Sequence, residues 1–291
     1  MLSVKRKQFL IFIVPSLLVL AVTVLYPLVY SFIMSFTSSS LKVRGFGDFV
    51  GLDNYIKAFK DAYFIKSGWT TGLFTVIVVT LEFVFGLSVA LMLNRIKRGK
   101  KLFFTIIIVP MLITPVAVGL IWRLLLHPDL GIVNYLLGVV GLEGQAWLGD
   151  AKLAMMTVVL IDIWHQVPFM ILLLLAGLVS LPGEPYEAAT IDGASRLQTF
   201  WNVTLPLMKE TIIVAVLFRV ITAIKTYDLI YVLTKGGPGT TTEVISYHIY
   251  KQAYTFLNTG YSSAMSYLLL LVIMLLSVVF VRLGRGKAQA R

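Results

Sequence analysis

Six long apolar runs constrain this chain more than any other feature. They lie at 9–34, 70–93, 103–127, 153–180, 211–234 and 262–283. A helix needs about 20 predominantly apolar residues to cross the hydrocarbon layer of a membrane. Lipid supplies no hydrogen-bond partners, so each crossing backbone must bond within itself. Six transmembrane helices and an all-α membrane fold are therefore expected. The alternating segments of a membrane barrel, about ten residues each, are not present. The first run follows Lys5-Arg6-Lys7 and is too long for the core of a cleaved signal, so it reads as a retained helix.

Composition supports that reading. Charged residues are 13% of the chain and hydrophobic residues 58%, where a soluble domain carries about 25% charged residues. A soluble enzyme and a disordered chain are excluded. There are no cysteines, which removes disulfide scaffolds, thiolate metal sites and cysteine nucleophiles. A net charge of +11 would suggest nucleic acid in a soluble protein. Here the basic residues cluster at the ends of apolar runs. The charge therefore reports topology, and no nucleic-acid partner is expected.

Lys and Arg are biased to cytoplasmic loops. The N-terminus, the 94–102 loop, the 181–210 loop and the C-terminal tail together hold 14 of them, and the loops of the other side hold 8. Both termini are expected in the cytoplasm. The chain divides at this level into a first helix with its outer loop (1–69), a core of five helices (70–283) and a basic tail (284–291).

The loop 181–210 carries the most information. Leu181-Pro-Gly-Glu-Pro185 ends the fourth run, and Pro185 suits the first turn of a new helix. Tyr186 to Asp192 reads as a short helix, with Gly193 as its C-terminal cap. Ser195 and Gln198 have the spacing of a capping box that opens a second short helix. Thr204-Leu-Pro206 ends it. A helix–glycine–helix elbow thus projects from the membrane. Glu187, Ala188 and Ala189 put one charge and two small side chains on it, so another protein can approach closely.

This segment resembles the EAA loop of permease subunits of binding-protein-dependent ABC importers. That pattern is Glu-Ala-Ala, three residues, Gly, nine residues, then an aliphatic residue two before Leu-Pro. Glu187-Ala188-Ala189, Gly193 and Val203-Thr-Leu205-Pro206 match it throughout, with Val203 where Ile is usual. Three further stretches are similar to the first permease of maltose- and glycerol-phosphate-type systems. They are Leu233-Thr-Lys-Gly236-Gly237-Pro238-Gly239 with Thr242-Glu243 and Tyr250, Asp162-Ile-Trp164-His-Gln-Val-Pro168 ahead of Leu175-Ala-Gly177-Leu, and Val50-Gly51-Leu52-Asp-Asn54-Tyr55. The resemblance implies a type I ABC importer permease in the cytoplasmic (inner) membrane. It implies as partners a second EAA-type permease subunit, two cytoplasmic ATPase subunits and an external solute-binding protein, besides the lipid bilayer. It also implies that Glu187, Ala188, Ala189, Asp192 and Gly193 couple the chain to an ATPase. The implied solute is a carbohydrate: an oligosaccharide, polyol or sugar phosphate.

The chain has no phosphate loop, because Gly99-Lys100-Lys101 lacks the upstream glycine and the following hydroxyl residue. ATP and Mg²⁺ would be used by the partner ATPase, and no cofactor is expected on this chain. His127, His165 and His248 are too few and scattered to suggest a metal site. No nucleophile–base motif appears, so a non-catalytic subunit is expected.

Ionisable groups within the runs are Glu82, Arg123, Asp162, His165, Arg219, Lys225 and Asp228. Each costs about 2.5–3.5 kcal/mol to insert at a helix centre and needs a partner or a wet cavity. Asp162, His165 and Gln166 share one helix face, with Trp164 beside them and Pro168 just beyond, where it frees a carbonyl and introduces a kink. Such a face suits sugar hydroxyls and an aromatic stack, or else it holds helices together. Lys225 and Asp228 are placed to neutralise each other. Tyr227 and Tyr231 either line a path or belong to an interfacial belt. An ion-coupled transporter using Glu82, Asp162 and Asp228 as relay groups is the alternative from another class.

Overall fold

A computed structural model describes residues 13–42, 45, 47–96 and 98–285. The basic residues Lys5, Arg6, Lys7, Arg44, Lys97, Lys287 and Arg291, used above for orientation, lie outside them. The described residues form helices and no strands; a single antiparallel bridge joins Thr37 and Phe49. Among the described residues four helices are long and apolar enough to cross a membrane: α1 (Ile13–Ser35), α3 (Ala62–Arg95), α7 (Ala151–Val179) and α13 (Thr259–Gly284). A fifth crossing is available from a bent pair, α4 (Lys100–Leu112) and α5 (Pro115–Leu125). The short helix α2 (Asp53–Lys60) precedes α3, and α6 (Ile132–Val139) precedes α7. After α7 come α8 (Glu184–Ile191), α9 (Arg196–Thr199), α10 (Lys209–Ile224), α11 (Asp228–Leu233) and α12 (Ile245–Tyr250).

Two of the expected spans are not straight helices. The run at 103–127 turns by 92° between α4 and α5. Pro115 follows the break and starts α5, where its missing N–H is harmless. It also holds Thr114 extended, at ψ 145°. The run at 211–234 stops at Ile224 and restarts at Asp228. The 16 residues of α10 are shorter than a straight crossing requires. The carbonyl at the end of α10 is met by a tertiary bond: Ser246 Oγ donates to Ile224 O at 3.0 Å. By contrast α7 runs unbroken through Pro168.

The chain forms two compact units. One comprises the described residues up to Ile65 with His248–Val272. In it the Asn54 amide donates to the carbonyls of Ser35 and Thr37, both at 2.9 Å, and so closes the C-terminal end of α1. Asp61 caps α3 by accepting from the backbone N–H groups of Tyr63 and Phe64. The Tyr261 hydroxyl donates to its other oxygen at 2.8 Å, and His248 Nε2 lies 3.9 Å away.

The second unit comprises Lys66–Tyr247 with the described residues from Ile273. Its centre is α7. In the most apolar stretch of α7, 56% of residues are buried, against none in that of α1. Leu87 and Ala90 of α3, Met170 and Leu174 of α7, and Ala215 of α10 form one apolar cluster. Contact is close at Gly177: a Cβ there would lie 2.5 Å from Thr211 Cγ2 on α10. Small residues let membrane helices approach in this way.

Candidate functional site

The elbow is built as its residue types dictate. Pro185 lies in the first turn of α8. The helix ends in a Schellman closure, in which Gly193 N–H donates to Thr190 O at 3.1 Å and Ala194 N–H to Ala189 O at 2.9 Å. That closure needs a left-handed residue, and Gly193 has φ +72°. The capping box forms as well: Gln198 N–H donates to Ser195 Oγ at 3.3 Å and Ser195 N–H to Gln198 Oε1 at 2.8 Å. Beyond α9 the chain widens into a π-turn over Phe200–Thr204. The Tyr186 hydroxyl donates to Thr204 Oγ1 at 3.1 Å and ties the two arms together.

Glu187, Ala188, Asp192 and Gly193 are exposed on the elbow, and so is Ile191 at 85%. Ala189 is not. It is 9% exposed and turns inward, so the two alanines do not share a surface as the sequence suggested. Their 100° separation on a helix puts Ala188 outward and Ala189 against the body. A cavity of about 850 Å³ lies under the elbow, lined by Asn94, Arg95, Leu178, Tyr186, Phe200 and Thr204 among others.

The second site lies at the break between α10 and α11. A cavity of about 200 Å³ is lined there by Asp162, His165, Gln166, Lys225, Tyr227 and Asp228, together with Thr222, Thr226, Pro115 and Leu229. Six of the eight residues named as a candidate path thus come together. Trp164 does not line the cavity. It is 40% exposed and packs edge-on against Trp122, at 5.5 Å between ring centroids. Tyr231 is also outside it and stacks on Tyr227 at 5.6 Å. Tyr247, which sequence reading did not single out, stacks on Tyr227 from another element at 6.2 Å.

His165 closes the α4–α5 break. Its Nε2–H donates to the Ile113 carbonyl at 3.0 Å, and Gln166 Nε2 donates to Nδ1 at 3.3 Å. Lys225 and Asp228 do not neutralise each other: both are exposed, and neither forms an ion pair among the described residues. The helix break between them removes the spacing on which that expectation rested. Arg123 is exposed at the end of α5, and its Nη1 donates to the Val232 carbonyl at 3.3 Å.

Behind the cavity lies a buried triad: the sequence suggests that Arg219 bonds helix carbonyls or a carboxylate, and the structure identifies the partners as Glu82 and Asp162. Arg219 on α10 is 1% exposed, Glu82 on α3 is fully buried and Asp162 on α7 is 3% exposed. The guanidinium grips Glu82 through Nε and Nη2, the second at 3.0 Å, and Nη2 also bonds Asp162 Oδ2. Its Nη1 donates to Thr222 Oγ1 at 3.2 Å. The sequence shows each only as an ionisable group in an apolar run. Only the packing of three helices shows that they answer one another.

Residues 82–286 match the family of binding-protein-dependent transport system inner membrane components. The chain belongs to that family. It is a multi-pass membrane transport component that works with a solute-binding protein. It is 34% identical over 282 residues to the sulfoquinovosyl glycerol transport system permease SmoG of Agrobacterium fabrum, covering 97% of this chain and 92% of that protein. It is 36% identical over 273 residues to the trehalose/maltose transport system permease MalF of Thermococcus litoralis, covering 94% and 92%. The permease also shares its fold with a chain of a bacterial ABC transporter involved in the import of the acidic polysaccharide alginate. The TM-score is 0.85 at 23% identity, over 99% of this chain and 98% of that one.

Proposed function

We propose that this chain is one of two permease subunits of an ATP-driven importer for a carbohydrate or related solute in the inner membrane. The observation that carries the reading is the elbow. It is a rigidly capped helix–glycine–helix with Glu187, Ala188 and Ile191 turned outward. A surface built that way is suited to seat in a groove of a cytoplasmic ATPase. Both termini are then cytoplasmic, and the α4–α5 and α10–α11 pairs complete six crossings.

In this reading a loaded binding protein docks on the outer side. ATP-driven closure of two ATPase subunits pulls the elbow, through Glu187, Ala188, Asp192 and Gly193, and Ala189 anchors it to the body. The motion opens the permease pair outward, and hydrolysis resets it inward. ATP and Mg²⁺ stay on the ATPase. The permease does no covalent chemistry.

The cavity at the α10–α11 break is proposed as the place where solute meets this subunit. Broken helices line polar cavities in transporters because the freed backbone needs partners other than lipid. Hydroxyls both donate and accept hydrogen bonds, and this cavity offers both kinds of partner. Two of the three relay groups of the ion-coupled alternative, Glu82 and Asp162, are bound to Arg219, which speaks against it.

The test is affinity purification from mild detergent with mass spectrometry of the bound chains. Recovery of an ATPase with a phosphate-loop motif and a second EAA-bearing permease supports the reading. Repeated recovery of the chain alone, with uptake that survives ATP depletion, overturns it.

A further inference from the structure

We propose that α2 (Asp53–Lys60) is an interfacial helix, which lays one apolar stripe into the boundary between lipid headgroups and hydrocarbon beside the end of α1. The partner of this exposed face is the bilayer surface.

Residues four and seven positions apart share a helix face. On that spacing α2 and its two flanking residues divide into three stripes, each shifted by one residue. Asn54, Ala58 and Asp61 turn to the protein. Asn54 closes the end of α1, Ala58 is fully buried and Asp61 accepts from Tyr261. Asp53, Lys57 and Lys60 are charged and exposed, and Lys57 Nζ lies 4.5 Å from the centre of the Tyr261 ring. Leu52, Ile56 and Phe59 are apolar, yet they are 61%, 50% and 67% exposed. A helix that met only protein and water would need two kinds of face. A third face, apolar and uncovered, calls for a third medium.

The place of α2 in the fold supplies that medium. Ser35 is the last residue of the span α1, and its Oγ lies 2.7 Å from the Tyr55 hydroxyl. The Tyr55 ring packs on Phe36 at 5.6 Å. Tyr261, which bonds Asp61, lies in the first turn of another span, α13. So α2 sits where two membrane-spanning helices leave the hydrocarbon. No residue is buried in the most apolar stretch of α1, so the surface that continues from α2 is itself suited to lipid. Helices of this kind sink their apolar face about 5–10 Å into the headgroup and acyl boundary. Lysines beside such a face keep their stems on apolar surface and their ammonium groups among phosphates and water. A second protein chain is the competing occupant. The charged stripe beside the apolar one speaks against it, because the cores of protein interfaces are depleted of Lys and Asp.

The chain has no cysteine, so Phe59→Cys, Ile56→Cys and Asp53→Cys each place a single thiol on it. The assembled transporter is reconstituted in vesicles of phosphatidylcholine and phosphatidylglycerol and reacted with a methanethiosulfonate nitroxide, with the unsubstituted complex as the blank. Paramagnetic resonance then measures collisions with oxygen, which concentrates in hydrocarbon, and with a neutral nickel chelate, which stays in water. The oxygen-to-nickel ratio at Phe59→Cys and Ile56→Cys is expected to be several-fold higher than at Asp53→Cys. Equal ratios at the three positions would put the stripe in water and overturn the proposal. An immobilised label at Phe59→Cys, shielded from both reagents, would put protein on the stripe and overturn it as well. Both side chains are exposed, so the variants should assemble; failure of both to do so would also identify a protein contact and overturn the lipid one.

Discussion

The guanidinium of Arg219 on α10 holds the carboxylate of Asp162 on α7, 57 positions away in the chain. The same group holds Glu82 on α3, 137 positions away. Three membrane helices are thus joined at one buried point. The triad lies directly behind a cavity at a helix break, and Asp162 belongs to both. Burying charge in this way is tolerated because each group has its partner.

Arg219→Leu removes the shared partner and leaves two buried carboxylates exposed to each other. A loss of about 3–5 kcal/mol is expected. It should appear as a large drop in the melting temperature of the detergent-solubilised complex. Combining it with Glu82→Gln and Asp162→Asn should restore most of the loss. A triple variant as unstable as the single one would show that the contribution is packing and not charge.

Gly193 has open space around its Cα, so only its left-handed φ limits substitution. Gly193→Asn should keep the elbow, whereas Gly193→Val should strain it by about 1–2 kcal/mol. Gly193→Trp and Glu187→Lys alter the outward surface and should abolish uptake at normal membrane levels. Uptake assays paired with immunoblots of the membrane fraction separate the two effects. Normal uptake by a well-inserted Gly193→Trp variant would argue strongly against the coupling role.

At Gly177 the limit is space. Gly177→Ala drives a methyl into Thr211 Cγ2 and should cost about 1–3 kcal/mol. Thr211→Ala should relieve part of it, because it removes the two nearest atoms. Thermal melts of the two single variants and the double variant measure the coupling. Strict additivity would exclude the contact.

Asp61 gives a pH dependence. Burial raises its pKa, but the bonds from Tyr261, Phe64 and Tyr63 and the nearby His248 outweigh that and hold it below the ordinary 3.8. A depressed carboxylate contributes stability that is present above its unfolded value and is lost as pH falls through the folded one. Melting temperatures should therefore fall more steeply below about pH 4 in the parent than in Asp61→Asn. Parallel curves would remove Asp61 from the acid response.

Much of the elbow was legible in the sequence because its signals are local. Pro185, Gly193 and the Ser195–Gln198 pair each act through the backbone within a few residues, and the structure uses each as its chemistry suggests. That Ala189 turns inward is not legible in the sequence, because a helix face becomes an inside or an outside only when something packs against it. The bend at Thr114 had its signal in Pro115. The stop at Ile224 had none of that strength: Ser246 accepts the role of partner from another part of the chain. The gathering of Asp162, His165 and Gln166 followed from helix periodicity, but their meeting with Lys225 and Asp228 required the break.

The sequence by itself determined that the chain lives in a membrane, is helical and carries an elbow at 181–210. Those outcomes depend on apolar length, on the absence of water in lipid and on short-range capping bonds. Only the tertiary structure decided which apolar runs bend, which alanine faces the body, and that Glu82, Asp162 and Arg219 form one charged unit. Each of these depends on groups distant in the chain becoming neighbours. A buried charge or a freed carbonyl is tolerable only where such a neighbour is supplied.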